Sequence, residues 1–531
     1  MTLADFEPLL RAERLLLDAC RVGGIARVAY RRPQAASPDI TLRAEFLSFL
    51  ARGGDDPAGA AGRRIEVLGA WVQGRFKVQG ARVPASLWMF RCVFEHAPEF
   101  DGARVAGSVG FPDCALPGLR AEGCRIAGSL TLNSGCRVTG EVRLARAVIH
   151  GELNCERARL GGGVEAPAPG QRPLVADGAH IGGDVLIGHG FEAAGELRFF
   201  GARIDGDLKA SGASLHGCVD ADGVRQVALN LDRVRVAGSV ALNAGFSAAG
   251  AVRLQRARIA GDLDASDAAF DVVGDATWRN GAALLMDGAR IQGALRLSRL
   301  QTPLLGASLA QARVGALVDD ESTWGQRHVL DGFRFSRLAE GAPTAAAFRL
   351  GWLARQRSAH LDADFRPDPW RRVIKVLRRM GHEHEAGAVA VGRENWLRRI
   401  DRIGEGTPRS LRWLPRLGHG LFGLVAGYGH RPLRLLAWAL AVWFACAWLY
   451  LIGATQGAAA PANPWLYSLE RLLPMLDLLQ GHATQAAPAP MPTVWDTLLQ
   501  GVTVFEALLG WAAGLVLFAT LAGWADRDRR C

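Results

Sequence analysis

The chain has 531 residues, of which 64 are glycine and nine cysteine, and a formal charge of +10. The glycines follow no three-residue period, which excludes a collagen-like chain and suits a turn-rich fold. The charge is local: residues 349–434 hold 18 Arg and Lys against 8 Asp and Glu, and the remainder is neutral.

Residues 1–10, MTLADFEPLL, carry two acids, no basic stretch and no long apolar run. No secretory signal is expected there, which keeps the N-terminal part in the cytosol. Residues 1–20 read as a short amphipathic helix and Thr41–Arg52 as a second, stopped by Gly53-Gly54. Together they predict a helical cap over residues 1–60, covering the open edge of whatever follows.

From 61 to 340 the chain repeats itself. Gly128, Gly183, Gly238 and Gly293 are 55 residues apart, and each opens a Gly-x-apolar-x-apolar segment. The apolar residues fall into columns at the same step: Leu130, Val185, Val240 and Leu295; Leu132, Ile187, Leu242 and Leu297; Ile126, Ile181, Val236 and Ile291. Within each segment polar and apolar residues alternate, the period of a strand with one buried face. Short strands, a glycine at each sharp corner and repetition in columns predict a mainly β fold, a β-solenoid expected to be a right-handed β-helix. Degenerate copies begin at Ile65 and the last strand is expected near Leu330–Phe335.

Residues 341–425 turn helical and basic. Pro369 opens one helix through Arg379, Gly381 breaks it, and Glu383–Ile400 forms a second, which reads as a basic helical hairpin. Residues 426–531 read as a two-helix transmembrane anchor. Pro432–Gly453 and about Val502–Trp524 are each long and apolar enough to span hydrocarbon. The external loop, 454–500, holds one basic residue, Arg471; Arg409, Arg412, Arg416 and Arg431 precede the spans, and Arg527, Arg529 and Arg530 follow them. The positive-inside rule then places both termini in the cytosol of a cell whose inner membrane carries the chain. The same arginines are candidate contacts for anionic lipid headgroups, a better fit to their place beside the spans than nucleic acid. In the loop, Leu466, Leu469, Leu472, Leu473, Leu476 and Leu479 share one helical face, which predicts an interfacial helix.

The candidate chemistry is sparse. Cys136 takes the place that Phe191 and Phe246 hold one and two periods later, and Cys155 that of Ala210 and Ala265, so the cysteines read as core residues. His382-Glu383-His384-Glu385 lacks the H-E-x-x-H spacing that puts two histidines on one helix face. Gly427-Tyr428-Gly429 precedes the first span, where a selectivity filter would follow a pore helix. No cofactor and no metal are predicted. Two outward columns, Arg143, Arg198 and Arg253 beside Glu152, Asp207 and Asp262, form a candidate interaction stripe. Glu506, inside a span near its outer end, is a candidate intramembrane polar site.

Five segments carry a resemblance: RAEFLSFL (43–50), LDGFRFSRL (330–338), FRPDPW (365–370), GYGHRP (427–432) and YSLERLLPMLDL (467–478). In this order they resemble a family of bacterial membrane-anchored β-solenoid proteins often labelled "membrane-associated oxidoreductase". The resemblance covers nearly the whole chain. The rungs also resemble those of bactofilins, which polymerise end to end, although the helical N-terminal segments and the two spans depart from that group. The family label implies a redox activity, with no catalytic motif to place on numbered residues. The residues themselves favour binding: a scaffold or protein-interaction surface held at the inner membrane, with an unknown protein partner or self-assembly. An oxidoreductase with a bound redox cofactor is the alternative from another class, and a channel component formed by the spans is a third.

Overall fold

Where only every second side chain is apolar, a segment can bury one face and must find a neighbour to cover it. Between Arg64 and Leu338 the chain does so with strands of two to eight residues, all paired in parallel. The computed structural model describes residues 2–55, 64–162, 170–217, 226–271, 282–403, 411, 413–429, 432–456, 458, 461, 463–473 and 494–528. It divides into two compact units, Met1–Gly381 and His382–Cys531.

In the first unit each coil has four sides. In one coil these are Arg125–Ile126, Leu130–Thr131, Arg137–Val138 and Val142–Arg143. Sides one and two merge into a 21-stranded sheet; sides three and four belong to sheets of ten and seven strands. Arg125 pairs with Val148, 23 residues on, and Val148 with His180, 32 residues on. The 55-residue period is therefore two coils, one short and one long. The same alternation carries His180 to Arg203, Arg235, Arg258 and Arg290. The extra residues of each long coil enter between sides three and four, after Leu160, His216 and Asp271.

The apolar columns face inward as expected: Leu132, Ile187, Leu242 and Leu297 have no exposed surface. The glycine column has a different cause from the one expected. Gly128, Gly183, Gly238 and Gly293 are not in the left-handed conformation that a sharp corner would ask of them. They are close-approach positions. A Cβ on Gly238 would lie 2.1 Å from Asp207 Oδ1, and one on Gly293 2.1 Å from Asp262 Oδ1. Those side chains reach across the coil boundary to accept backbone N–H groups, so they fill the space a Cβ would need.

The first coil does not end in an open edge. Ala26–Arg27 pairs with Arg64–Leu68, and Thr41–Arg43 with Trp71–Gln73. Thr41–Arg43 is thus a strand, and the helix expected from Thr41 starts only at Ala44, because the coil's unpaired backbone groups take the three preceding residues. Helices α1 (Arg11–Val22) and α2 (Ala44–Ala51) close this end, with the Ser48 hydroxyl accepting the Lys77 N–H at 3.0 Å. Buried Glu13 receives Arg43 through Nε and Nη2, each at 2.6 Å, which ties α1 to the edge strand.

The far end is closed as well. Helices α3 (Ala346–Ala354), α4 (Ser358–Leu361) and α5 (Asp368–Arg379) follow the last strand, Arg334–Leu338. Helix α5 lays Trp370, Val373, Ile374 and Leu377 inward, and Arg372 Nε donates to the Phe335 carbonyl at 2.9 Å. In α3, Arg349 meets Asp319 with both side chains wholly buried.

The second unit is helical: α6 (Glu383–Arg399), α7 (Trp413–Ala426), α8 (Pro432–Thr455), α9 (Pro464–Leu472) and α10 (Val494–Asp528). The two helices expected as one hairpin fall on opposite sides of the division between units. Leu433–Thr455 and Val494–Leu515 are long and apolar enough to cross a membrane, by length and composition. They turn large apolar side chains outward, among them Leu433, Phe444 and Trp448 on the first and Val504, Leu508 and Trp511 on the second. The Gly-Tyr-Gly segment is a tight bend before α8, with Tyr428 at φ 56° and its ring 4.5 Å from that of His419.

Candidate functional site

The two columns expected to form one stripe occupy different places on the coil. Arg143, Arg198 and Arg253 stand on side four; Glu152, Asp207 and Asp262 follow the glycine between sides one and two. Each arginine is neutralised. Arg143 Nε lies 2.7 Å from Glu141 and Nη1 3.8 Å from Glu122; Arg198 Nε is 2.8 Å from Asp177; Arg253 Nη2 is 2.5 Å from Asp232. Hydrogen bonding to Glu141 and to Asp177 pushes the Arg143 and Arg198 guanidinium groups up from their ordinary range. The acids are occupied too. Asp207 Oδ1 accepts the Ser239 N–H at 2.8 Å, and Asp262 Oδ1 the Ala294 N–H at 2.7 Å. The longer Glu152 instead accepts from Asn154 Nδ2 at 3.3 Å and lines an open trough of 710 Å³ beside Trp88 and Asn133. The three arginines, Asp207 and Asp262 link neighbouring coils, whereas Glu152 bonds within its own.

Side one presents an arrangement of the opposite kind. Arg203, Arg235, Arg258, Arg290, Arg313 and Arg334 pair in unbroken register, one above the next. Arg82, Arg104 and Arg125 begin the same row, and Val148 and His180 interrupt it. All nine arginines are exposed. Arg203 has a carboxylate, Asp205, at 2.7 Å. Among the described residues none of Arg235, Arg258, Arg290, Arg313 and Arg334 has an ion-pair partner. Parallel strands stand about 4.8 Å apart. Like charges at that spacing repel by roughly 1 kcal/mol per neighbour before salt screening. The row was legible: an arginine immediately precedes Ile126, Val236 and Ile291 of the third apolar column.

In the second unit Glu506 lies in α10 with no exposed surface, although its place near the outer end of the span suggested access to headgroup water. The difference comes from α9, which folds back against both long helices. Ser468 of α9 donates its hydroxyl to Glu506 Oε1, and Tyr450 of α8 donates to Oε2 at 3.1 Å while lying 3.0 Å from Thr503 Oγ1. One carboxylate thereby joins three helices. Small residues permit the approach: a Cβ on Gly510 would meet the Leu472 carbonyl oxygen at 2.2 Å. Leu466, Leu469 and Leu472 lie in α9, and Leu473 caps it, whereas Leu476 and Leu479 lie outside the described residues.

Of the arginines expected at lipid headgroups, Arg416 pairs with Asp401. Arg409, Arg412, Arg431, Arg529 and Arg530 lie outside the described residues, and Arg527 is described only as backbone of α10.

The cysteines occupy core columns. Cys92, Cys114, Cys124, Cys136 and Cys155 are free and fully buried. Burial pushes the Cys124 and Cys136 thiols up to about 12, so neither supplies a thiolate at neutral pH. Among the described residues no three His, Cys, Asp or Glu side chains gather as metal ligands.

His328 is buried at the closed end, its ring 5.1 Å from that of Trp324 and its Nε2 3.1 Å from the Gly325 carbonyl oxygen. Burial pushes it down to about 4, against about 6.5 in the unfolded chain. Between those values the unfolded state binds the extra proton, so stability is full above pH 6.5 and falls as pH drops towards 4. The expected loss is about 3 kcal/mol by pH 4. Thermal midpoints of the full chain in detergent at pH 7 and pH 4.5 check it, and His328→Gln should flatten the slope.

Comparison with protein-family models, with curated proteins and with solved structures finds no match to this chain.

Proposed function

We propose that the protein is a membrane-tethered scaffold: a right-handed β-solenoid over residues 61–340, capped by residues 1–60, presented at the cytosolic face of the inner membrane. The spans of 426–531 anchor it, both termini lie in the cytosol, and residues 341–425 connect anchor and stack. The observation that carries this reading is the pair of closed ends. With Thr41–Arg43 and α2 at one end and α5 at the other, end-to-end stacking of copies has no free edge to use. The long rigid sides remain as the surface for a partner. Anionic headgroups beside the spans would take the flanking arginines.

A reporter fused after Arg530 is expected to be active in the cytosol; periplasmic activity would overturn the orientation. An absorption spectrum of the detergent-purified chain separates this reading from the membrane-associated oxidoreductase that the family resemblance implies. A near-stoichiometric flavin, haem or cluster band would replace the scaffold with the enzyme.

A further inference from the structure

We infer that the arginine row on side one is a docking rail for a linear polyphosphate chain. The inference stands apart from the membrane reading, since it rests on the first unit alone. Six arginines, Arg203 to Arg334, are held in one register by parallel strand pairing. The spacing of their Cα atoms is set by strand pairing, so the row keeps its register where charges on a flexible loop would drift. Elsewhere in the same stack the outward arginines on side four each have a carboxylate at hand. Five of the six on side one have none among the described residues. Unneutralised like charges in adjacent strands disfavour the sheet that carries them, and an external anion removes that penalty.

The flanks show which anion. Two positions after Arg235, Arg258, Arg290 and Arg313 stand Ala237, Ala260, Gln292 and Gly315, small or neutral, which leave open space along this part of the row, whereas Asp205 follows Arg203 and pairs with it. On one flank Arg203, Arg235, Arg258 and Arg290 border a trough of 340 Å³, with Asp205 at its rim; on the other Arg258, Arg290, Arg313 and Arg334 border one of 610 Å³, with Asp331 and Asp368 at its rim. Single-stranded nucleic acid is held on aromatic platforms between its charges, and this face has no ring among those four positions. In a duplex the phosphates lie on two strands that wind about a common axis, so neither strand follows a single row of successive coils. Membrane docking calls for large apolar anchors among the charges, and between Tyr30 and Leu411 no large apolar side chain is exposed among the described residues. What remains is an unbranched, flexible polymer that offers phosphate oxygens at every unit and no bases. Guanidinium groups engage such oxygens in pairs.

The test uses the full chain in neutral detergent and fluorescently labelled inorganic polyphosphate, followed by anisotropy. Binding is expected, falling about a thousandfold between 50 and 200 mM salt for six charge contacts. The variant R235A/R258A/R290A/R313A should lose at least about tenfold of the affinity with an undiminished melting temperature. The variant R143A/R198A/R253A removes similar charge from side four and should bind as the native chain does. If the quadruple variant does not fold, R258Q/R290Q should still weaken binding several-fold. Equal losses from the side-one and side-four variants would reduce the effect to net charge and overturn the proposal. So would no binding, or tighter binding of oligothymidylate, polygalacturonate or phosphatidylglycerol micelles than of polyphosphate.

Discussion

Replacing Arg349 by Met is expected to destabilise the first unit by about 3–5 kcal/mol. Arg349 Nη1 and Nη2 lie 2.7 and 2.8 Å from the two oxygens of Asp319, and Nε donates to the Pro343 carbonyl at 2.8 Å. Both side chains have no exposure. Methionine fills much of the volume but leaves Asp319 charged and buried, with only the Trp324 indole N–H, at 2.7 Å, to answer it. The double variant R349M/D319L removes the orphaned charge and should recover most of the loss. Chemical denaturation of the three proteins in detergent measures both effects. A single variant as stable as the native chain would show that the pair does not hold α3 to the last coils.

Leu242→Asp is expected to cost about 5 kcal/mol or more, since it adds an unpaired carboxylate to the loss of a buried leucine. Leu242 has no exposure, and Ile187 and Leu297 hold the corresponding core positions two coils away on either side. The corresponding positions in the two adjacent coils, Ala210 and Ala265, are apolar and buried, so the carboxylate must be protonated or the coil must open. Loss of the cooperative thermal transition, or early cleavage by protease near residue 242, is the expected result. An unchanged melting temperature would overturn the assignment of this column to the core.

How far such positions can be read from sequence depends on what each one reports. Leu132, Ile187, Leu242 and Leu297 recur at a fixed step because every coil imposes the same burial, so periodicity finds them. The same periodicity hides the coil length. The shortest constant step that restores the columns is 55, and only the pairing of Val148 with both Arg125 and His180 shows that it contains two coils. Gly238 illustrates a second limit: its recurrence is visible in the sequence, but its cause is the Asp207 carboxylate of the preceding coil. Glu506 illustrates a third. Its depth along α10 can be counted from the sequence, while its burial depends on Ser468 returning from the loop. The arginine row was present in the sequence beside an apolar column already recognised, and only strand register turns scattered arginines into neighbours.

The two-coil period also bears on how such a chain lengthens. Because a short coil and a long coil together restore every column, duplicating or deleting one 55-residue block leaves all remaining contacts in register. The core at the new junction is the core already present one block away. Each such event would change the stack by two strand spacings, about 10 Å, and add or remove two positions of the side-one row. Reach and charge therefore grow together in fixed increments. The closed ends, built from residues outside the repeating block, stay unchanged whatever the length between them.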